Sequence, residues 1–193
     1  TPYSKECVEE INDMTYTLSS AKVDDNTGSI TAILNSSVNC SSKNSLLQSF
    51  QLDKNNNSYQ YNYKCFEHPS ISDDCNEIIT TKVSLTNDQK LKPLDVLSNT
   101  NFDMKCGDNQ GIKGFTLKSD NSNSFFYVVK CCNLLKIADR ISDPFISTPQ
   151  GDIISKLSAQ APNGRFFRNL FIRKLTSNNL FQYQALLTRA DIY

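Results

Sequence analysis

Tryptophan is missing from these 193 residues, glycine occurs six times, methionine twice and histidine once. With a single His, an imidazole metal cluster or a His-based catalytic relay has one member at most to draw on. No apolar run reaches the ~18 residues that a membrane-spanning helix needs. Charge of one sign is lacking too, since 20 Lys and Arg balance 20 Asp and Glu. That balance argues against a dedicated nucleic-acid binder, which carries a basic excess. What the chain has in quantity is Ser and Asn, together 44 of 193 residues. Their side chains compete with the helical backbone for hydrogen bonds, so they favour turns and strands over long helices. With 38% hydrophobic residues and a mean hydropathy of -0.43, one core fits beneath a very polar surface. The chain starts at Thr1 without Met, as expected of a mature, processed or excerpted polypeptide.

The cysteines stand at 7, 40, 65, 75, 106, 131 and 132. The interval from Cys40 to Cys65 equals that from Cys106 to Cys131, and the pair is displaced by 66 residues. The contents agree as well: Phe50-Gln-Leu52 matches Phe115-Thr-Leu117, and an Asn/Ser/Asp turn follows each. Tyr59, Tyr61 and Tyr63 then match Phe125, Tyr127 and Val129, and Lys precedes the closing Cys in both. Cys7-Val-Glu-Glu-Ile and Cys75-Asn-Glu-Ile-Ile open similar stretches. A looser third copy begins at Cys132, with Phe181 and Tyr183 in the places of Tyr59 and Tyr61. Self-similarity of this kind marks a repeat architecture. We therefore divide the chain into a single domain of three repeats, 1–72, 73–131 and a degenerate 132–193.

Residues 59–65 alternate Tyr-Gln-Tyr-Asn-Tyr-Lys-Cys, a period of two that puts the aromatics and the Cys on one face of a strand. Asn-rich turns between such runs read as hairpins, at 48–65, 113–131 and 170–187. Helical spacing is thin, with a short candidate over 132–141 and a weaker one over 7–14. The expected fold class is all-β with three-fold pseudo-symmetry, stabilised by disulfides. The run Cys106…Gly114-Phe115-Thr-Leu117-Lys118…Cys131, and in part Cys40…Phe50-Gln-Leu52…Cys65, resembles vitelline membrane outer layer proteins, a β-prism family. The resemblance implies three similar sheet units and an extracellular coat protein without defined catalysis. A β-trefoil is the alternative three-repeat fold.

Both internal cysteines are missing together from the third copy, as bonded partners would be. This predicts Cys40–Cys65 and Cys106–Cys131; buried free thiols are the alternative. Cys131 and Cys132 are adjacent, so in a strand they face opposite ways. Cys132 then looks towards Cys75 or a partner chain, and we favour Cys75–Cys132 with Cys7 left over for an intermolecular bond. Disulfides imply an oxidising compartment, hence an extracellular or cell-surface location. A zinc site is disfavoured, for no Cys-x2-Cys pair exists and His68 is the lone His.

Glycosylation sequons occur at Asn35, Asn39 and Asn56, the last on an expected hairpin tip. His68 precedes Pro69 in a loop, without a nucleophile elbow to serve. Asp24-Asp25 and Asp73-Asp74 lack EF-hand spacing, and Gly107, Gly111 and Gly114 lack the strand–loop–helix context of a phosphate loop. The expectation is neither an enzyme nor a cofactor or metal protein. The tyrosine ladder 59/61/63 reads first as core and second as a sugar-stacking surface.

Charge runs along the chain from net -3 over 1–72, through -1 over 73–131, to +4 over 132–193. All five arginines lie in the last third, where Arg165-Phe166-Phe167-Arg168 and Arg173-Lys174 interleave cations with aromatics. Such a segment suits phosphate, anionic glycan or single-stranded nucleic acid, or a protein contact, or is solvated arginines over core phenylalanines. An acidic first repeat can also meet a basic last one head to tail. The expected function is a secreted structural subunit of a coat, matrix or filament that pairs with itself or with other coat proteins. A carbohydrate-binding module is the alternative, with the Asn/Asp-rich turns 53–58, 119–124 and 176–179 as its loops and glycans as ligands.

Overall fold

A computed structural model describes residues 14–121, 123–135, 137–139, 148–162 and 164–190. Strand accounts for 56% of it and helix for 11%, so the class is all-β. Three sheets carry the fold, each centred on one long antiparallel hairpin. In the first, β4 (Ser45–Asn55) and β5 (Ser58–Glu67) form the hairpin, flanked by β1 (Thr15–Ser19), β2 (Val23–Asp24) and β12 (Ser158–Gln160). The second has β9 (Gln110–Asp120) and β10 (Ser124–Leu134) with β3 (Ser37–Asn39), β6 (Ile71–Ile79) and β7 (Val83–Ser84). The third has β13 (Arg165–Lys174) and β14 (Phe181–Ala190) with β8 (Met104–Lys105) and β11 (Ile137–Asp139).

Each hairpin takes a short strand from a different part of the chain. β12 crosses to β4, β3 to β9 and β8 to β13. At each crossing the inner strand holds one extra residue, a β-bulge, at Gln48, Lys113 or Arg168. The bulged carbonyl then accepts the N–H of the residue just past the visiting strand. The bonds are Ala161 N to Gln48 O at 2.8 Å, Cys40 N to Lys113 O at 3.1 Å and Cys106 N to Arg168 O at 2.9 Å. Close approach of β3 is possible because position 114 is Gly. A Cβ there would stand 2.2 Å from the Val38 carbonyl oxygen.

The alternation of β5 buries Tyr59, Tyr61, Tyr63 and Cys65 on one face. One main hydrophobic cluster draws on all three sheets. At its centre Phe50 meets Phe115 at 5.1 Å and Tyr183 at 4.9 Å, edge to face, so one ring from each sheet converges. A second cluster of Leu46, Phe66, Ile71, Cys132, Leu134 and Phe166 gathers the open ends of the three hairpins. The hairpin turns therefore project away from it, about 30 Å distant for strands of this length. Asn56, Asn121 and Asn179 occupy those turns with φ of 56°, 56° and 58°. Asn tolerates this left-handed conformation better than other side chains with a Cβ.

Disulfides join Cys40 to Cys65, Cys106 to Cys131 and Cys75 to Cys132. The first two are the pairs with equal intervals. Cys40 follows β3 and Cys65 lies in β5, so this bond ties the second sheet to the first. Cys106 follows β8 and Cys131 lies in β10, so the next ties the third sheet to the second. Cys75–Cys132 stays within the second sheet, between β6 and β10. Cys7, the candidate for an intermolecular bond, and the weak helix candidate over 7–14 fall, but for Met14, outside the described residues.

The short helix expected over 132–141 is corrected. Residues up to Leu134 continue β10, and Ile137–Asp139 is β11. Pairing of Cys132 with Cys75 and of Leu134 with Ile71 outweighs the weak helical spacing. The short helices lie instead at Asn87–Lys90, where Thr86 and Gln89 form a capping box, and at Pro93–Leu97, which opens on a proline.

Candidate binding cleft at the turn end

Where the first and third hairpins turn, a cleft of about 260 Å³ opens between them. β4 supplies Lys54, β5 supplies Tyr59 and β14 supplies Phe181. Two loops close it. One carries Leu91, Lys92 and Pro93 at the junction of the two short helices; the other carries Asp152, Ile153 and Ile154. The second loop is held against β14 by reciprocal bonds of 2.9 Å between Gly151 and Phe181. Glycine is required at 151, since a Cβ there would lie 2.6 Å from that of Lys156.

Among the described residues, large hydrophobics that stay exposed are Ile79, Leu91, Leu135 and Ile153. Leu91, 55% exposed, and Ile153, 45% exposed, form the lips of this cleft. The aromatic floor is nearly closed: Tyr59 and Phe181 are buried, with Lys54 Nζ 5.6 Å above the first ring and Lys174 Nζ 5.7 Å above the second. Asp152 is bound to Lys156 at 2.9 Å, and that hydrogen bond holds its carboxyl below the ordinary range. The cleft thus offers apolar lips, two lysines and one further carboxylate, Asp95.

The other hollows differ in character. A groove of about 350 Å³ runs over the outer face of the first sheet, lined by polar side chains such as Ser19, Gln51, Asn62 and Lys64. Beside Thr27 and Asn57, a shallow acidic hollow contains Asp24 and Asp25. Burial alone pushes the Asp25 carboxyl up, but hydrogen bonds from Thr27 and Thr31 outweigh it and hold it low. Asp73 and Asp74 sit on β6 of another sheet, away from this pair. No group of three His, Cys, Asp or Glu side chains is placed to hold a metal among the described residues.

The basic segment 165–174 is largely absorbed by the body. Phe166 and Phe167 are wholly buried, which corrects their expected role at an interface. Successive residues of β13 face opposite ways, so Phe167 enters the main cluster and Phe166 the second one. Arg173 makes a two-pronged pair with Asp103, at 2.8 and 2.6 Å, and stacks 4.4 Å from Phe171. Arg168 reaches Asp108 at 3.5 Å, Arg165 is half-buried, and Lys174 is exposed beyond its contact with Phe181.

The tyrosine ladder is core, with Tyr61 and Tyr63 buried beside Tyr59. His68 Nδ1 accepts the Ser70 N–H at 3.0 Å, and its ring stacks on Phe66. Asn35, Asn39 and Asn56 all lie exposed, where a glycan has room. Nothing along the chain marks the cleft itself. Leu91 and Ile153 lie in loops 62 positions apart, and only the tertiary fold makes them neighbours. No family model, curated protein or solved structure matches the chain.

Proposed function

We propose that the chain is an extracellular structural subunit, a rigid block from which a coat, matrix or filament is built. The supporting observation is the pattern of staples: two disulfides tie neighbouring sheets together at the points where strands cross between them. Bonds of this kind persist in oxidising compartments. Among the described residues no helix is long and apolar enough to cross a membrane.

Three sheets, three crossings and three bulges at Gln48, Lys113 and Arg168 favour a body of three related units about an approximate three-fold axis, as in a β-prism. Their separate sheets with facing inner sides suit a trefoil less well. The carbohydrate reading draws less support, because Tyr59, Tyr61 and Tyr63 are buried and lysines cover the rings at the cleft floor. Sedimentation velocity of the oxidised protein should show larger species as concentration rises. A monomer at every concentration, together with sugar-competed binding on a glycan array, would replace this reading by the carbohydrate one.

A further inference from the structure

We propose that copies of the chain stack end to end, Leu135 of one molecule seated between Leu91 and Ile153 of the next. This rests on the assembly reading above and names the contact. Leu135 is 67% exposed at the open end of the second hairpin. Its N–H is fixed to the Ser70 carbonyl at 2.8 Å, so it stands on a pinned strand end as a rigid knob. The cleft lies at the other end of the hairpins. Knob and socket on opposite ends make a heterologous contact that does not close on itself, which is the geometry of a filament.

Size favours a side chain as occupant. Small-molecule sites generally span ~300–1,000 Å³, and this cleft of about 260 Å³ falls below that range. Charge favours the same pairing. Lys54 and Lys92 line the socket. At the knob's end of the molecule Glu67, the last residue of β5, is an exposed acid, whereas Asp108 is already matched by Arg168. Opposing charges at the rim set orientation and capture rate more than affinity. Asp95 in the socket opposes this trend, and Asp152 is already matched by Lys156.

The test uses the full oxidised chain and two variants, Leu135→Asp and Ile153→Asp. Both residues are exposed, so circular dichroism and urea midpoints should match the parent. In sedimentation velocity the parent should form species that grow with concentration, and each variant alone should stay monomeric. A 1:1 mixture should give dimers and nothing larger, since one variant keeps the socket and the other the knob. Variants that associate as the parent does, or a mixture without dimers, would overturn this contact while leaving assembly standing. A parent that is monomeric up to about 1 mM would remove both.

Discussion

Gly114 is the residue on which the β3 crossing depends. Any side chain there meets the backbone of Val38 and Asn39, not a flexible tip that can swing aside. Gly114→Ala should cost about 1–3 kcal/mol, the range for overpacking, measured as a shift of the urea midpoint. Lys118→Ala, at an exposed position further along the same strand, serves as the control with little change. The buried tyrosines supply a second residue-scale expectation. Burial pushes the phenols of Tyr61, Tyr127 and Tyr183 up, with mutual repulsion adding to the last two. In the unfolded chain these groups ionise near pH 10; in the folded one they stay protonated. The folded state therefore binds more protons above that pH, and stability falls as pH rises beyond about 10. Near-ultraviolet titration should show three of the eight tyrosines ionising only with unfolding. Complete ionisation of these three on a folded protein would refute this.

At the scale of elements, the hairpins were legible and the crossings were not. Alternation of Tyr59, Tyr61 and Tyr63 needs no context to announce a half-buried strand, and equal cysteine intervals betray matching hairpins. The visiting strands β3, β8 and β12 are two or three residues long, too short for any periodicity. Their pairing is set by the bulges opposite them. If the three units are related as proposed, Ala161 takes the place of Cys40 and Cys106, and Leu187 that of Cys65 and Cys131. Both are buried. The double variant Ala161→Cys, Leu187→Cys should then form a fourth disulfide under oxidising conditions, found by non-reducing peptide mapping. Two persistent free thiols at these sites would count against the equivalence.

For the whole molecule, the staples matter through the unfolded chain. Each 25-residue closure removes freedom worth about 3.5 kcal/mol on the chain-entropy account. Replacing Cys40 and Cys65 together by Ser should lower unfolding free energy by about that amount, and full reduction should lower it further. A midpoint unchanged by the double substitution would mean that packing alone holds the sheets together.

The sequence by itself determined the all-β class, the aromatic face of β5 and the matched cysteine intervals, because each is a local pattern of side chains along one strand or hairpin. Only the tertiary structure decided which sheet receives which short strand, that Phe166 and Phe167 turn inward, and that Leu91 and Ile153 share a cleft. Those outcomes depend on contacts between residues tens of positions apart, where the free energy comes from surfaces meeting in space and leaves no periodic trace along the chain.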